Sequence, residues 1–229
     1  MKKFLVSLML LFSVSAFADA PKTGTDFDAV AQPISTDNAS KIEVMEVFWY
    51  GCPHCYHMEP VLNAWVKKLP ADVYFKRVPG LPRVEWAPMA KAYYALETLG
   101  LTDKLHGALF EAIHKDKTVN PMDEKAAIDW IANKSGMDHL KVEQAFKSFT
   151  MNTNLNRAAM VFRNSGATGV PSLIIDGKYI TSSTMAGSNE QALKVADYII
   201  ENIRKDKSAG LKKTDGADAA KKPETTKKY

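Results

Sequence analysis

The sequence contains very little cysteine: two residues among 229, Cys52 and Cys55. Two cysteines allow at most one internal disulfide, which excludes a disulfide-rich scaffold. Charge of one sign is also scarce, because the formal net charge of +4 is too small to indicate a nucleic-acid-binding protein. With 12 glycines, 11 prolines and 46% hydrophobic residues, the chain is neither collagen-like nor of low complexity. These absences leave an ordinary folded protein with one cysteine pair to explain.

Long hydrophobic runs are absent beyond the N-terminus. There, two lysines precede an apolar run over residues 4–14, and Ala16-Phe17-Ala18 has the small-x-small pattern of a cleavage site. The run is shorter than the roughly 20 residues that cross a bilayer. We therefore predict that residues 1–18 are a signal peptide cleaved after Ala18. The mature protein is then exported and soluble, in a compartment where disulfides persist.

Hydrophobic patterns predict an α/β sheet interrupted by helices. The segment Lys41–Tyr50 is typical of a buried strand and runs into the cysteine pair. Helical spacing follows over Tyr56–Leu69, and Val73–Val78 is a second strand candidate. Further along, Asp176-Gly177 separates two apolar runs, which is a strong hairpin signal. A last helix is predicted over Asn189–Arg204.

Between these parts, residues 85–157 have helical patterns and no convincing strand. The predicted organisation is an irregular leader (19–39), a discontinuous α/β domain (40–84 and 158–204), an inserted helical domain (85–157) and a disordered Lys-rich tail (205–229).

Three interpretations of the cysteine pair compete. As a structural staple, a disulfide closing a four-residue loop contributes about 2 kcal/mol at best. As a metal site, the pair lacks a second cysteine pair, and His106, His114 and His139 fall in a helical surface pattern. Haem attachment needs a histidine where Tyr56 stands. Redox catalysis is the interpretation that the position of the pair favours.

The physical case for redox catalysis rests on the predicted junction of strand and helix. Cys52 would lie at the helix N-terminus, where unpaired N–H groups and the helix dipole favour a thiolate. Pro53 suits the first helical turn, and His54 would further stabilise the anion. Such surroundings lower the pKa of a thiol below about 8.5, which makes the disulfide an oxidant. Cys55, one turn further along, would be the more buried thiol.

The segment Glu46–Tyr56, with Glu59 after it and Gly169-Val170-Pro171 far downstream, resembles the DsbA family. These proteins are thioredoxin-fold disulfide oxidases of the bacterial periplasm, and the sequence C-P-H-C is specific to them within the superfamily. The resemblance covers about residues 40–204. It implies an α/β, thioredoxin-like fold with an inserted α-helical domain. The segment Val78–Trp86 departs from the family pattern.

By this resemblance, Cys52 is the nucleophile, Cys55 is the resolving cysteine, and the two form a redox-active disulfide. The implied substrates are reduced, newly exported proteins. A DsbB-like membrane protein would reoxidise the dithiol with quinone. The resemblance implies a monomer without a bound cofactor, metal or nucleic acid.

The resemblance also assigns roles outside the cysteine motif. Pro171 matches the cis-proline of the family and, with Val170, would contact the substrate chain. Glu46 and Glu59 match acidic residues near the buried cysteine, for which a tuning or proton-transfer role and an ordinary surface position both stay open. The alternative functions are a reductase or isomerase on the same fold, and a non-enzymatic protein that binds a metal or a peptide.

Overall fold

The computed structural model describes residues 20–218, so the predicted signal peptide lies outside the described residues. One mixed sheet with strand order β1-β5-β4-β2-β3 organises the chain. Its strands are β1 (Phe27–Ala29), β2 (Ile42–Phe48), β3 (Val73–Pro79), β4 (Ser172–Ile175) and β5 (Tyr179–Ser182). Only β2 and β3 pair in parallel; the other neighbours in this sheet are antiparallel.

The helices divide between the sheet and an insertion. They are α1 (Pro53–Val66), α2 (Ala87–Thr98), α3 (Thr102–His114), α4 (Glu124–Ser135), α5 (His139–Phe146), α6 (Met151–Ser165), α7 (Ser183–Ala186) and α8 (Asn189–Asp218). Helix α1 is the crossover that two parallel strands require. Helices α2 to α6 come between β3 and β4, which confirms the predicted fold class with its helical insertion. No helix within residues 20–218 is long and apolar enough to cross a membrane.

Strand β2 is buried along its whole length because helices cover both faces of the sheet. Since side chains alternate between the faces of a strand, Val44 packs into the apolar cluster of α1 and α8. Met45 and Val47 pack on the opposite side, in the cluster that includes the inserted helices. The strand is therefore held from both sides, and its C-terminal end is a fixed point in the fold.

The predicted hairpin is confirmed. Strands β4 and β5 pair across Asp176 and Gly177, which both have positive φ, at 52° and 64°. The leader packs onto this turn, where the N–H of Ile34 donates to the carbonyl of Gly177 at 2.9 Å. A Cβ on Gly177 would lie 1.8 Å from the Ile34 carbonyl oxygen. Both the positive φ and the lack of room for a Cβ therefore require glycine at this position.

The structure differs from the predicted organisation at three places. The leader, predicted irregular, supplies β1, since the edge of β5 offers unpaired backbone groups. Helix α8 continues past Arg204 to Asp218, where the sequence predicted a disordered tail. Residues 219–229 lie outside the described part. The predicted domain boundary at 157–158 falls inside α6.

We expect Gly177→Ala to destabilise the protein by roughly 2 kcal/mol more than Gly100→Ala, measured by urea unfolding. The two glycines have nearly equal φ, 64° and 67°, but a Cβ at Gly100 meets nothing within 4 Å. Both variants therefore carry the cost of a positive φ, about 1–2 kcal/mol, and Gly177→Ala alone adds the clash with Ile34. Equal losses in the two variants would contradict the described turn.

Candidate active site

The cysteine pair lies where β2 passes into α1. Cys52 is the N-cap residue of α1 in an extended conformation, and its own N–H donates to the Trp49 carbonyl at 2.9 Å. Pro53 is the first helical residue, as predicted. Gly51 allows the tight turn, because a Cβ there would lie 2.4 Å from the Trp49 ring. This junction directs the unpaired N–H groups of the first helical turn toward Cys52.

The two sulfurs differ in environment. Both cysteines are free thiols, so the structure describes the dithiol form. Cys52 is 8% exposed and Cys55 is completely buried, which is the order that the sequence predicted. Sγ of Cys52 lies 3.3 Å from the carbonyl oxygen of Val170, to which the thiol donates. The Val170–Pro171 bond is cis, as the resemblance implies.

Electrostatics separate the two thiols further. A hydrogen bond from the Cys55 thiol, helped by the N–H groups of Cys55 and His54 and by the charge of His54, lowers the pKa of Cys52 from 9.0 to about 6, against the effect of burial. Burial raises the pKa of Cys55 well above its ordinary value. From the sequence, the low pKa of Cys52 was attributed to the helix terminus and to His54. In the structure, the hydrogen bond from Cys55 lowers that pKa the most.

A small hollow borders the site on its exposed side. It has a volume of about 230 Å³ and is lined by His54, Val170, Pro171, Ser183 and Thr184. His54 and Pro53 are exposed. The structure thus brings the predicted residues 52–55 together with Val170 and Pro171, although they are more than a hundred positions apart in the sequence.

Both predicted carboxylates are buried, and neither is a surface group. Glu46 on β2 is fully buried, and Nε of Arg77 on β3 donates to its Oε2 at 2.9 Å. Its other oxygen has no hydrogen-bond partner among residues 20–218. Burial raises the pKa of Glu46 to about 8, despite the charge of Arg77. Glu46 is therefore mostly protonated at neutral pH, and its charge, once it ionises, raises the pKa of Cys55.

Glu59 on α1 has more donors than Glu46. It accepts hydrogen bonds from Nδ2 of Asn63 at 2.9 Å and from the Arg77 guanidinium at 3.1 Å, and Nε2 of His106 lies 3.2 Å from its Oε1. Burial opposes its ionisation, but the hydrogen bond from His106 and the charge of Arg77 keep the pKa of Glu59 below its ordinary value.

His106 was predicted to lie in a helical surface pattern, and this prediction was wrong. His106 is 6% exposed and contacts Tyr50, whose hydroxyl lies 2.7 Å from Nδ1. A signal was present, since His106 occupies the same helical stripe as Leu109, Phe110 and Ile113, which are all buried. Of the other two histidines, His114 is half-buried, with Nε2 2.7 Å from the carbonyl oxygen of Tyr50. His139 is exposed beside Asp129.

Arg77 was also missed. It stands directly opposite Glu46 in the parallel register of β2 and β3, which a sequence without register information does not reveal. Over the part of the chain that the structure describes, no three His, Cys, Asp or Glu residues are grouped so that they could hold a metal ion.

Comparison with known proteins decides the family. Residues 43–196 match the family model of the DSBA-like thioredoxin domain. The chain belongs to the DsbA family. It is 38% identical over 208 residues to the thiol:disulfide interchange protein DsbA of Pseudomonas aeruginosa, covering 89% of this chain and 98% of that protein. The DsbA of Burkholderia cepacia is 36% identical over 211 residues, with the same coverage.

Solved structures agree with the DsbA assignment. The crystal structure of Pseudomonas aeruginosa DsbA superposes with a TM-score of 0.76 at 36% identity, covering 82% of this chain and 97% of that one. That of DsbA from Xylella fastidiosa gives a TM-score of 0.75 at 28% identity, covering 81% and 99%. Like its DsbA relatives, the protein is a thiol:disulfide oxidoreductase with a thioredoxin fold.

The pKa of Cys52 predicts how the reduced protein reacts with iodoacetamide. Because the thiolate is the nucleophile, the rate should rise with pH and reach half its maximum near pH 6. One equivalent should react, since the buried Cys55 stays protonated. Cys52→Ser should abolish the fast reaction. A half-maximum near pH 9 in the parent protein would contradict the described environment of Cys52.

Proposed function

We propose that this DsbA-family protein is a periplasmic disulfide oxidase that transfers the Cys52–Cys55 disulfide to reduced, newly exported proteins. One observation carries the proposal: the surroundings of Cys52 favour its thiolate, with a pKa of about 6. A stabilised thiolate makes the dithiol the preferred form, and a disulfide whose reduced form is stabilised is an oxidant. A reductase instead needs a disulfide that is stable relative to the dithiol.

In the first step, a thiolate of the substrate attacks Sγ of Cys52. A bond forms between the substrate sulfur and Cys52, the Cys52–Cys55 bond breaks, and Cys55 leaves as a thiolate. Because Cys55 is completely buried, its anion takes up a proton. Glu46, buried and protonated at neutral pH, is a suitable donor for that proton.

In the second step, another thiolate of the substrate attacks the substrate sulfur of the mixed disulfide. The bond to Cys52 breaks, the substrate leaves with a disulfide, and Cys52 remains as a thiolate. The substrate has lost two electrons and the enzyme has gained them. Hydrogen bonds from Cys55 and from the first turn of α1 stabilise this final anion, so Cys52 is a good leaving group.

The surroundings of the sulfur suggest how substrate is held. We assign Val170 and Pro171 to contact with the substrate chain, since the Val170 carbonyl faces Cys52 and both residues line the hollow beside His54. A hollow of about 230 Å³ is smaller than a typical small-molecule pocket. Such a site suits an extended chain passing over the surface, and hence many protein substrates.

Location and partners follow from the predicted signal peptide and the family. We assign the protein to the periplasm, where exported chains arrive reduced. Each turnover leaves a dithiol, so an external oxidant is needed. A DsbB-like membrane protein that passes electrons to quinone fills this role. We expect the protein to act as a monomer without a bound cofactor.

Serine variants of the two cysteines test the mechanism. With a reduced, unfolded protein as substrate, Cys52→Ser should lower the rate of disulfide formation to the uncatalysed rate. Cys55→Ser has no disulfide to donate and should be equally inactive as an oxidase. With glutathione disulfide added as the oxidant, its Cys52 should first form a mixed disulfide with glutathione, which a substrate thiolate then displaces, so that a mixed disulfide between Cys52 and the substrate accumulates. This adduct appears on a non-reducing gel and disappears with dithiothreitol. Oxidation at the parental rate by Cys52→Ser would overturn the proposal.

The redox balance predicts how stability depends on pH. The folded pKa of Cys52 is depressed, so its ionisation stabilises the reduced protein at high pH, and this contribution is lost as the pH falls through about 6. The reduced form should gain roughly 3 kcal/mol over the oxidised form between pH 5 and pH 8. Unfolding of both forms in urea at each pH measures this. A reduced form that is the less stable one at pH 8 would indicate a reductase.

A further inference from the structure

The two buried carboxylates share one cation. Arg77 contacts Glu46 through Nε and Glu59 through its terminal nitrogen, at 2.9 and 3.1 Å. Two ionised carboxylates next to one guanidinium would leave a net negative charge in the protein interior, which is strongly unfavourable. One of the two carboxyl groups therefore retains a proton at neutral pH. Which of them does so depends on the other hydrogen-bond donors.

The donors are distributed unequally. Glu59 accepts hydrogen bonds from Asn63, Arg77 and His106. Among residues 20–218, Arg77 is the only hydrogen-bond donor to Glu46. A carboxylate that accepts several hydrogen bonds is stabilised in its ionised form. Asn63 is itself held, because its Oδ1 accepts from Arg77 at 2.9 Å. Of these donors, His106 is the one whose tautomer decides whether it donates to Glu59.

The tautomer of His106 follows from its two partners. An ionised Glu59 only accepts hydrogen bonds, so Nε2 of His106 carries the proton. Nδ1 then bears a lone pair and accepts from the Tyr50 hydroxyl at 2.7 Å. Burial and the nearby Arg77 lower the pKa of His106, so the ring is neutral. Both ring nitrogens of His106 therefore have a hydrogen-bond partner.

The remaining groups around the ring do not compete for Glu59. From α2, the hydroxyl of Tyr93 is directed to the Arg77 carbonyl oxygen at 3.4 Å. Glu97 on the same helix interacts with Tyr93. Phe48 and Phe110 pack against the imidazole at 5.2 and 5.3 Å between ring centres. Among the described residues, His106 is thus the group through which α3 acts on the carboxylate pair.

We propose that His106 is a positioning residue: it holds Glu59 in the ionised form, so that the proton shared by the carboxylate pair resides on Glu46, the carboxyl that acts on Cys55. The inference deepens the proposed function and rests on it for the role of that proton. It makes the helical insertion, which supplies α3, part of the chemistry of the cysteine pair.

Carbon-13 NMR of the reduced protein with labelled glutamate carboxyl groups tests the proposal. Glu46→Gln and Glu59→Gln assign the two signals. In the parent protein, Glu46 should titrate near pH 8, and Glu59 should stay ionised down to acidic pH. His106→Phe removes the donor and should raise the midpoint of Glu59 by roughly one to two pH units. His106→Gln, whose amide is again a donor, should restore the parental midpoint at least in part.

The matched control is His139→Phe. His139 also contacts a carboxylate, Asp129, at 2.8 Å, but on the exposed face of the insertion. It should leave both midpoints unchanged. An unchanged midpoint of Glu59 in His106→Phe would overturn the proposal, as would a parental Glu59 that carries the proton at pH 7.

A second measurement needs no substitution, so it applies even where His106→Phe does not fold. Nitrogen-15 NMR of labelled histidine in the parent protein should show His106 as a neutral ring protonated at Nε2 at pH 7 and above. A ring protonated at Nδ1, or a cationic ring at pH 7, would overturn the inference. Both measurements observe the protein without substrate, so their failure is distinct from a failure of the oxidase function, which the serine variants test.

Discussion

The position of one sulfur at the end of a buried strand governs the rest of this structure. Strand β2 is paired on both edges and covered on both faces, so its C-terminal end has no freedom to move. The chain turns at Gly51 and starts α1 at once, which places Cys52 where backbone donors converge. A turn of helix later, Cys55 is completely buried. The difference between the two thiols is therefore built into the junction.

The burial of the Cys55 thiol affects what the neighbouring sheet must supply. A completely buried thiol that must leave as an anion needs a proton source within the protein interior. The sheet supplies a carboxyl group at the matching place, since Glu46 stands two residues before the end of β2. Burying ionisable groups costs several kcal/mol for each unpaired charge. Arg77 offsets part of this cost, and protonation of Glu46 removes the rest.

The sequence predicted the parts of this site that are local in the chain. The C-P-H-C motif after a hydrophobic strand determines Cys52, Pro53, His54 and Cys55 together, and the Asp176-Gly177 hairpin is equally local. Pro171 needed the family resemblance, because a single sequence does not show which proline lies beside the cysteines.

The parts that sequence reasoning missed depend on pairing between distant segments. The match of Arg77 with Glu46 follows from strand register, and β1 forms only because the edge of β5 is available. His106 was missed for a different reason: a histidine reads as polar, although its position in the apolar stripe of α3 was visible. The extension of α8 to Asp218 was also missed, because the low hydrophobicity of the tail favoured a disordered segment.

The inserted helices do more than cover the sheet. Helix α3 holds Tyr50 at both ends, with His106 at the hydroxyl and His114 at the carbonyl oxygen. Tyr50 stands two residues before Cys52, so the insertion fixes the turn that presents the sulfur. The reactivity of the pair is thus set within the protein, by the hydrogen bond between the two thiols, the helix terminus, the proton on Glu46 and the turn held by α3. None of these contributions depends on contact with a substrate chain.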